Sequence, residues 1–140
     1  MRGPIYLAAL LLAGCTNELH GALTVDWQEG GKRWTVTPDA CASGQRAAFF
    51  GVDMLAQGHE DSLVRVILDP RDGPLLKLNV PGTDKGLTVV QTAGCKRFDV
   101  HVERQSSTIN DITNVRGHVR VDCDEPGLKL SGDLTFDNCH

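Results

Sequence analysis

From Phe98 onward the chain alternates apolar and polar residues with a period of two, a pattern that a helix cannot use. Phe98, Val100 and Val102 are separated by Asp99 and His101, with Glu103 following. Val115, Gly117, Val119 and Val121 interleave with Arg116, His118, Arg120 and Asp122. Leu128, Leu130, Leu134 and Phe136 do the same with Lys129, Asp133, Thr135 and Asp137. Successive side chains on a strand point to opposite faces, so each stretch reads as a strand with one buried and one wet face. With Asp124-Glu125-Pro126-Gly127 as the loop between the last two, Cys123 faces Leu128, Val121 faces Leu130, Val119 faces Gly132, and His118 lies opposite Asp133. A slip of one residue would set the apolar side chains against the charged ones, which fixes the face each strand presents.

The rest of the chain has the same period, punctuated by turn residues. Leu23, Val25 and Trp27 alternate with Thr24 and Asp26, and after Glu29-Gly30-Gly31 the residues Trp34 and Val36 alternate with Arg33 and Thr35, which reads as an opening hairpin. Pro38 to Gly44 reads as a loop. The apolar run from Ala47 to Leu55 fits either a short helix from Arg46 or a strand, and Phe49-Phe50-Gly51-Val52 favours a strand with a bend at the glycine. Gln57 to Asp61 is a turn, and Leu63 to Leu68 is a strand too apolar to have one wet face. Turns at Asp69 to Gly73 and Pro81 to Gly86 separate strands at Leu75 to Val80 and Leu87 to Gln91. A strand from Lys96 to Gln105 returns through a loop at Ser106 to Asn114. Turns at this spacing predict a single all-β domain over residues 22–140, an antiparallel sandwich or barrel built of hairpins.

The start of the chain reads as targeting rather than fold. Arg2 is followed by an apolar segment, Ile5 to Ala13, too short to span a bilayer and ending in small residues. A buried core helix is the other use of so short a run. The stretch Leu11-Leu12-Ala13-Gly14-Cys15 resembles the lipobox of bacterial lipoproteins, in which the cysteine is acylated and becomes the first residue after signal cleavage. That resemblance implies a signal peptide at residues 1–14, a palmitate-type lipid anchor on Cys15, a lipidated tether over residues 15–21, and the membrane as a partner. By likeness to enterobacterial lipoproteins, Thr16 in place of an aspartate after the cysteine implies passage to the outer membrane, on its periplasmic or surface face. The mature chain resembles small cysteine-stapled β lipoproteins of myxobacteria-like organisms through Thr37-Pro38-Asp39-Ala40-Cys41, the Gly117 to Cys123 strand and the ending Leu130 to Cys139. The tail alone is faintly similar to the mycobacterial lipoprotein antigen family. Neither group carries a catalytic motif over to this chain.

With Cys15 assigned to lipid, Cys41, Cys95, Cys123 and Cys139 form an even set, read in an exported chain as two disulfides. The strand pattern chooses among the three pairings. Cys139 lies eleven steps beyond Leu128, about 36 Å at ~3.3 Å per residue, far from Cys123 at the other end of the hairpin. The preceding hairpin returns Cys95 to Cys123. The pairs expected are therefore Cys95–Cys123 and Cys41–Cys139.

No chemistry is announced by motif. The formal charge is -4, or -5 once Arg2 is lost, and the basic residues are dispersed, which argues against nucleic acid or an anionic bilayer surface as a partner. Calcium-loop, H-E-x-x-H, nucleophile-elbow and phosphate-loop patterns are missing, so neither a metal nor a cofactor is expected. His101 with Asp99 and Glu103, and His118 between Arg116 and Arg120, share the wet face of the last sheet. A His and carboxylate site is one use of that face, and a solvated surface with interleaved charges is the other. With the anchor that the lipobox resemblance implies, the chain is expected to be a lipid-anchored envelope module that binds a protein, glycan or small-molecule ligand or serves structurally, not an enzyme. A hydrolase with a dispersed His/carboxylate site is the alternative, distinguished by a deep pocket at His101 or His118.

Overall fold

The computed structural model describes residues 17–57, 59–79 and 86–140. The signal segment, Cys15 and the turn at residues 81–85 lie outside the described residues. Ten strands follow in order: β1 (Glu18–Trp27), β2 (Lys32–Val36), β3 (Ala40–Ser43), β4 (Gly51–Ala56), β5 (His59–Asp69), β6 (Gly73–Asn79), β7 (Leu87–Val89), β8 (Cys95–Ile109), β9 (Ile112–Glu125) and β10 (Leu128–Cys139). Among the described residues they form two antiparallel five-stranded sheets, β2-β1-β10-β9-β8 (sheet A) and β3-β4-β5-β6-β7 (sheet B). The antiparallel all-β domain expected from the alternation is observed, and of the two forms expected, sandwich or barrel, it is the sandwich.

The inward residues of the two sheets make one core. Sheet A contributes Leu23, Val25, Val100, Val119, Leu130 and Leu134, and sheet B contributes Val52, Met54, Val64, Val66 and Leu76, each almost fully buried. At one end of the sheet A strands, Cys139 on β10 is bonded to Cys41 on β3. At the other end, Gln91, just after β7, donates its backbone N–H to Glu125 beside the β9–β10 turn (3.2 Å). The succession from β3 to β7 thus runs along the length of β9 and β10, so the strands of sheet B lie across those of sheet A. The second disulfide joins Cys95 and Cys123, direct partners on β8 and β9.

Several sequence expectations need correction. The β9–β10 loop is the pair Pro126-Gly127: Leu128 lies opposite Glu125, Leu130 opposite Cys123 and Gly132 opposite Val121. Proline followed by glycine at φ +87° suits the two central positions of a type II turn, which closes the hairpin two residues earlier than a four-residue loop. The expected loop at Ser106 to Asn114 is mostly strand, with β8 and β9 joined at Asn110-Asp111. Both residues take positive φ (49° and 64°), the conformation of a tight hairpin turn that Asn and Asp tolerate. Gln45 ties this turn to sheet B, donating to the Asp111 carbonyl and accepting from the Thr113 N–H, both at 3.0 Å.

The loop expected over Pro38 to Gly44 contains β3, which pairs with β4 from Ala40↔Leu55 to Ser43↔Val52. The ambiguous run after it resolves into a 3-10 turn (Gly44–Ala47) followed by the strand β4. The turn expected at Gln57 to Asp61 is shorter, because β5 already begins at His59. Residues 18–21, read as tether, belong to β1, where Leu19 packs against the core. At the far end a bulge interrupts β10 between Phe136 and Cys139, with Asn138 at φ 54°. Residues three apart would face opposite ways on a regular strand. The bulge resets the parity, so Phe136 and Cys139 both point inward and Cys139 meets Cys41.

Candidate functional site

The outward side chains of sheet A gather the titratable groups that alternation had marked as a wet face. Register, rather than sequence proximity, builds the arrangement. His20 on β1 lies opposite Thr135 on β10, Thr135 opposite His118 on β9, and His118 opposite His101 on β8. Three histidines and a threonine thus form one row across four strands. The expected opposition of His118 and Asp133 is not found, since the tighter β9–β10 turn places Asp133 against Arg120.

Carboxylates and guanidinium groups flank this row. On one side Glu18 lies opposite Asp137, and Glu103 opposite Arg116, with which it forms an ion pair. On the other side Asp99 lies opposite Arg120 and reaches diagonally to His118, Nε2 to Oδ1 at 2.8 Å, while Arg120 Nη1 stands 3.6 Å from its other oxygen. His101 Nε2 is 3.5 Å from Glu103 Oε2, and the two imidazole rings are 5.9 Å apart at 39°. The Asp99 carboxyl is held below its ordinary 3.8, first by the His118 hydrogen bond and then by nearby positive charge. An ionised carboxylate only accepts, so His118 Nε2 carries the shared hydrogen. Glu103 is held below 4.5, chiefly by Arg116 and secondarily by His101.

These side chains line an open groove of about 320 Å³ rather than an enclosed pocket. Gly117 lies along it: a Cβ there would meet the His101 carbonyl and the Phe136 ring, so glycine lets the strands bearing the two histidines stay close. Among the described residues, no hydroxyl or thiol hydrogen-bonds to His101 or His118. No group of three or more His, Cys, Asp or Glu side chains among those residues is arranged around a metal position. The groove offers hydrogen-bond donors and acceptors of both charges to a polar ligand in contact with solvent. Thr135 carries a hydroxyl in this groove opposite His118, without a hydrogen bond to it.

No family model matches this sequence, and comparison with curated proteins and with solved structures yields no significant match. The groove must be read from its own chemistry.

The Asp99–His118 pair gives one testable consequence. A carboxyl whose pKa is lower in the folded than in the unfolded state stabilises fully above the unfolded value, and that contribution is lost as pH falls through the folded one. The window therefore lies at acid pH, below the ordinary 3.8 of Asp99. In His118→Ala the Asp99 carboxyl is expected to titrate closer to that ordinary value, as read by carbon-detected nuclear magnetic resonance. An unchanged midpoint would show that His118 does not hold Asp99 in solution.

Sequence reasoning identified His101, His118 and their neighbouring carboxylates but missed His20, Glu18 and Asp137. The missing signal was the pairing of β1 with β10, the first strand with the last, which alternation within either strand cannot reveal.

Proposed function

We propose that this chain is a lipid-anchored protein of a bacterial cell envelope, whose β domain works as a binding or structural module. The observation that carries this reading is Leu11-Leu12-Ala13-Gly14-Cys15, a lipobox-like stretch lying just ahead of the domain, whose first strand begins at Glu18. Two disulfides support it, because cross-links of this kind form and persist in oxidising compartments outside the cytosol. The charged groove on sheet A is the place we assign to a polar ligand, because it gathers three histidines and two arginines beside carboxylates on one accessible face. The open groove favours binding over the hydrolase alternative, for which His118 and Asp99 would supply a base and its orienting partner but no hydroxyl is hydrogen-bonded to that base among the described residues.

Expressed in a bacterium with lipoprotein processing, the protein is expected to incorporate labelled fatty acid and to fractionate with membranes. Cys15→Ser is expected to abolish the labelling. Fatty acid still attached to the Cys15→Ser protein would remove the basis for the anchor.

A further inference from the structure

The outer face of sheet B is apolar, unlike that of sheet A. Val64 and Val66 of β5 are fully buried, so the intervening and flanking residues Leu63, Arg65 and Ile67 point away from the core. Leu63 lies opposite Leu55 of β4, and Ile67 opposite Leu75 of β6. All four are half-buried, and none belongs to the core cluster or to the partly buried residues packed on it. Ion pairing mutes the charge among them. Arg65 makes two hydrogen bonds of 2.7 Å to the Asp53 carboxylate and lies over the Phe49 ring, 4.8 Å from its centre. Lys77, opposite Arg65, adds a cation, and Asp69, two residues beyond Ile67 on the same side of β5, adds an anion, so the charges of these four side chains balance. The sequence marked Leu63 to Leu68 as too apolar for a strand with a wet face, and the fold nevertheless turns half of it outward.

The position of the chain start indicates what covers this face. The Asn17 side chain donates to the Cys41 carbonyl (3.1 Å) on β3, the edge strand of sheet B beside β4. Cys15 is two residues earlier, within about 7 Å of Asn17 even for a fully extended chain. An acyl group on Cys15 is therefore attached no more than two residues from the β3 edge of sheet B. From that corner the domain can turn one of three surfaces to the bilayer. Sheet A presents the charged groove, and the neighbouring end presents Asp39, Gln45, Arg46, Asn110 and Asp111. The outer face of sheet B presents leucine and isoleucine around the paired Arg65 and Asp53, the most apolar of the three surfaces and so the one that gains by leaving water for a lipid interface.

We infer that the outer face of sheet B, centred on Leu55, Leu63, Ile67 and Leu75, lies against the lipid surface into which Cys15 is anchored, leaving the groove on sheet A open to solvent. This rests on the lipoprotein reading above. The test uses the full acylated protein in vesicles of phosphatidylglycerol and brominated phosphatidylcholine, with acylation of Cys15 verified by mass. Tryptophan is introduced as Leu75→Trp or Thr135→Trp; the native Trp27 and Trp34 lie in sheet A and provide a common background. The added emission of Leu75→Trp is expected to be quenched several-fold more than that of Thr135→Trp. In the unsubstituted protein, amine-reactive labelling of Lys77 on vesicles is expected to fall several-fold relative to Lys129, which points from the opposite face, with Cys15→Ser in solution as reference. That second measurement needs no variant at the interface.

Acylated protein with equal quenching at both positions and Lys77 still labelled would overturn the inference while leaving the anchor intact. Concentration-dependent protection of Lys77 without lipid quenching would assign the face to a second copy and overturn it as well. Protein lacking acyl groups on Cys15 would overturn the reading on which the inference depends.

Discussion

Replacing Cys41 and Cys139 together by alanine is expected to lower the unfolding free energy by about 4–5 kcal/mol, the loop-entropy value for closing a segment of this length. The two cysteines are 98 residues apart in sequence, and the bond joins sheet B to the last strand of sheet A. Cys95 and Cys123 are separated by only 28, so the same model gives about 3–4 kcal/mol for their replacement. Urea unfolding of the two double variants under non-reducing conditions should therefore place the Cys41/Cys139 variant below the Cys95/Cys123 variant. The reverse order would show that the inter-sheet bond is not the main covalent constraint on the unfolded chain.

Leu130→Ala is expected to cost about 2–5 kcal/mol, as for other large-to-small changes at buried leucines. Leu130 is 1% exposed, between Cys123 on β9 and Val25 on β1, and its side chain points into the space between the sheets. Lys129, the adjacent residue, points to solvent and forms a 3.9 Å ion pair with Asp124. Lys129→Ala should therefore stay within about 0.5 kcal/mol of the parent protein. The comparison tests the facing of β10 directly, read from urea midpoints at unchanged slope. Comparable losses for the two substitutions would mean that β10 does not present one dry and one wet face.

The same parity explains what the sequence could and could not disclose. Facing is legible because a shift of one residue exchanges the Leu128, Leu130, Leu134 set with the Lys129, Asp133, Thr135 set. A shift of two leaves both sets where they were. Hydrophobic pattern therefore cannot distinguish a four-residue loop at Asp124 to Gly127 from the observed Pro126-Gly127 turn, and only turn chemistry separates them. The cysteine pairs tolerated that error, since a two-residue shift still leaves Cys139 far from Cys123. β3 was hidden for another reason: Ala40-Cys41-Ala42-Ser43 is made of small residues behind a proline and an aspartate, with no branched or aromatic residue to announce a strand.

The polar run from Ser106 to Asn114 resembled a loop because this part of the hairpin carries few apolar residues, Ile109 and Ile112 being the exceptions. Its turn signal, Asn110-Asp111, was present in the sequence and was outweighed by the surrounding serines and threonines. The groove was legible only in part. Alternation puts His101 and His118 on a wet face, but the row from His20 through Thr135 exists because two strands more than a hundred residues apart in sequence become neighbours. Cys15 lies outside the described residues, and its acylation belongs to the proposal.

That neighbour relation also sets the order in which the domain can be completed. β1 lies between β2 and β10, and Glu18, at its start, is matched to Asp137, near the end of the chain. A chain delivered from its amino end has β1 available first, yet one edge of that strand has no partner until β10 arrives. Contacts of such large sequence separation form slowly, because most of the chain must be ordered before they are made. During that interval the unpaired edge of β1 is a template for strands of other chains. The last dozen residues complete sheet A and, through Cys139, link it to sheet B, so a truncation before β10 would leave a chain with the open edge and without the bond that closes it.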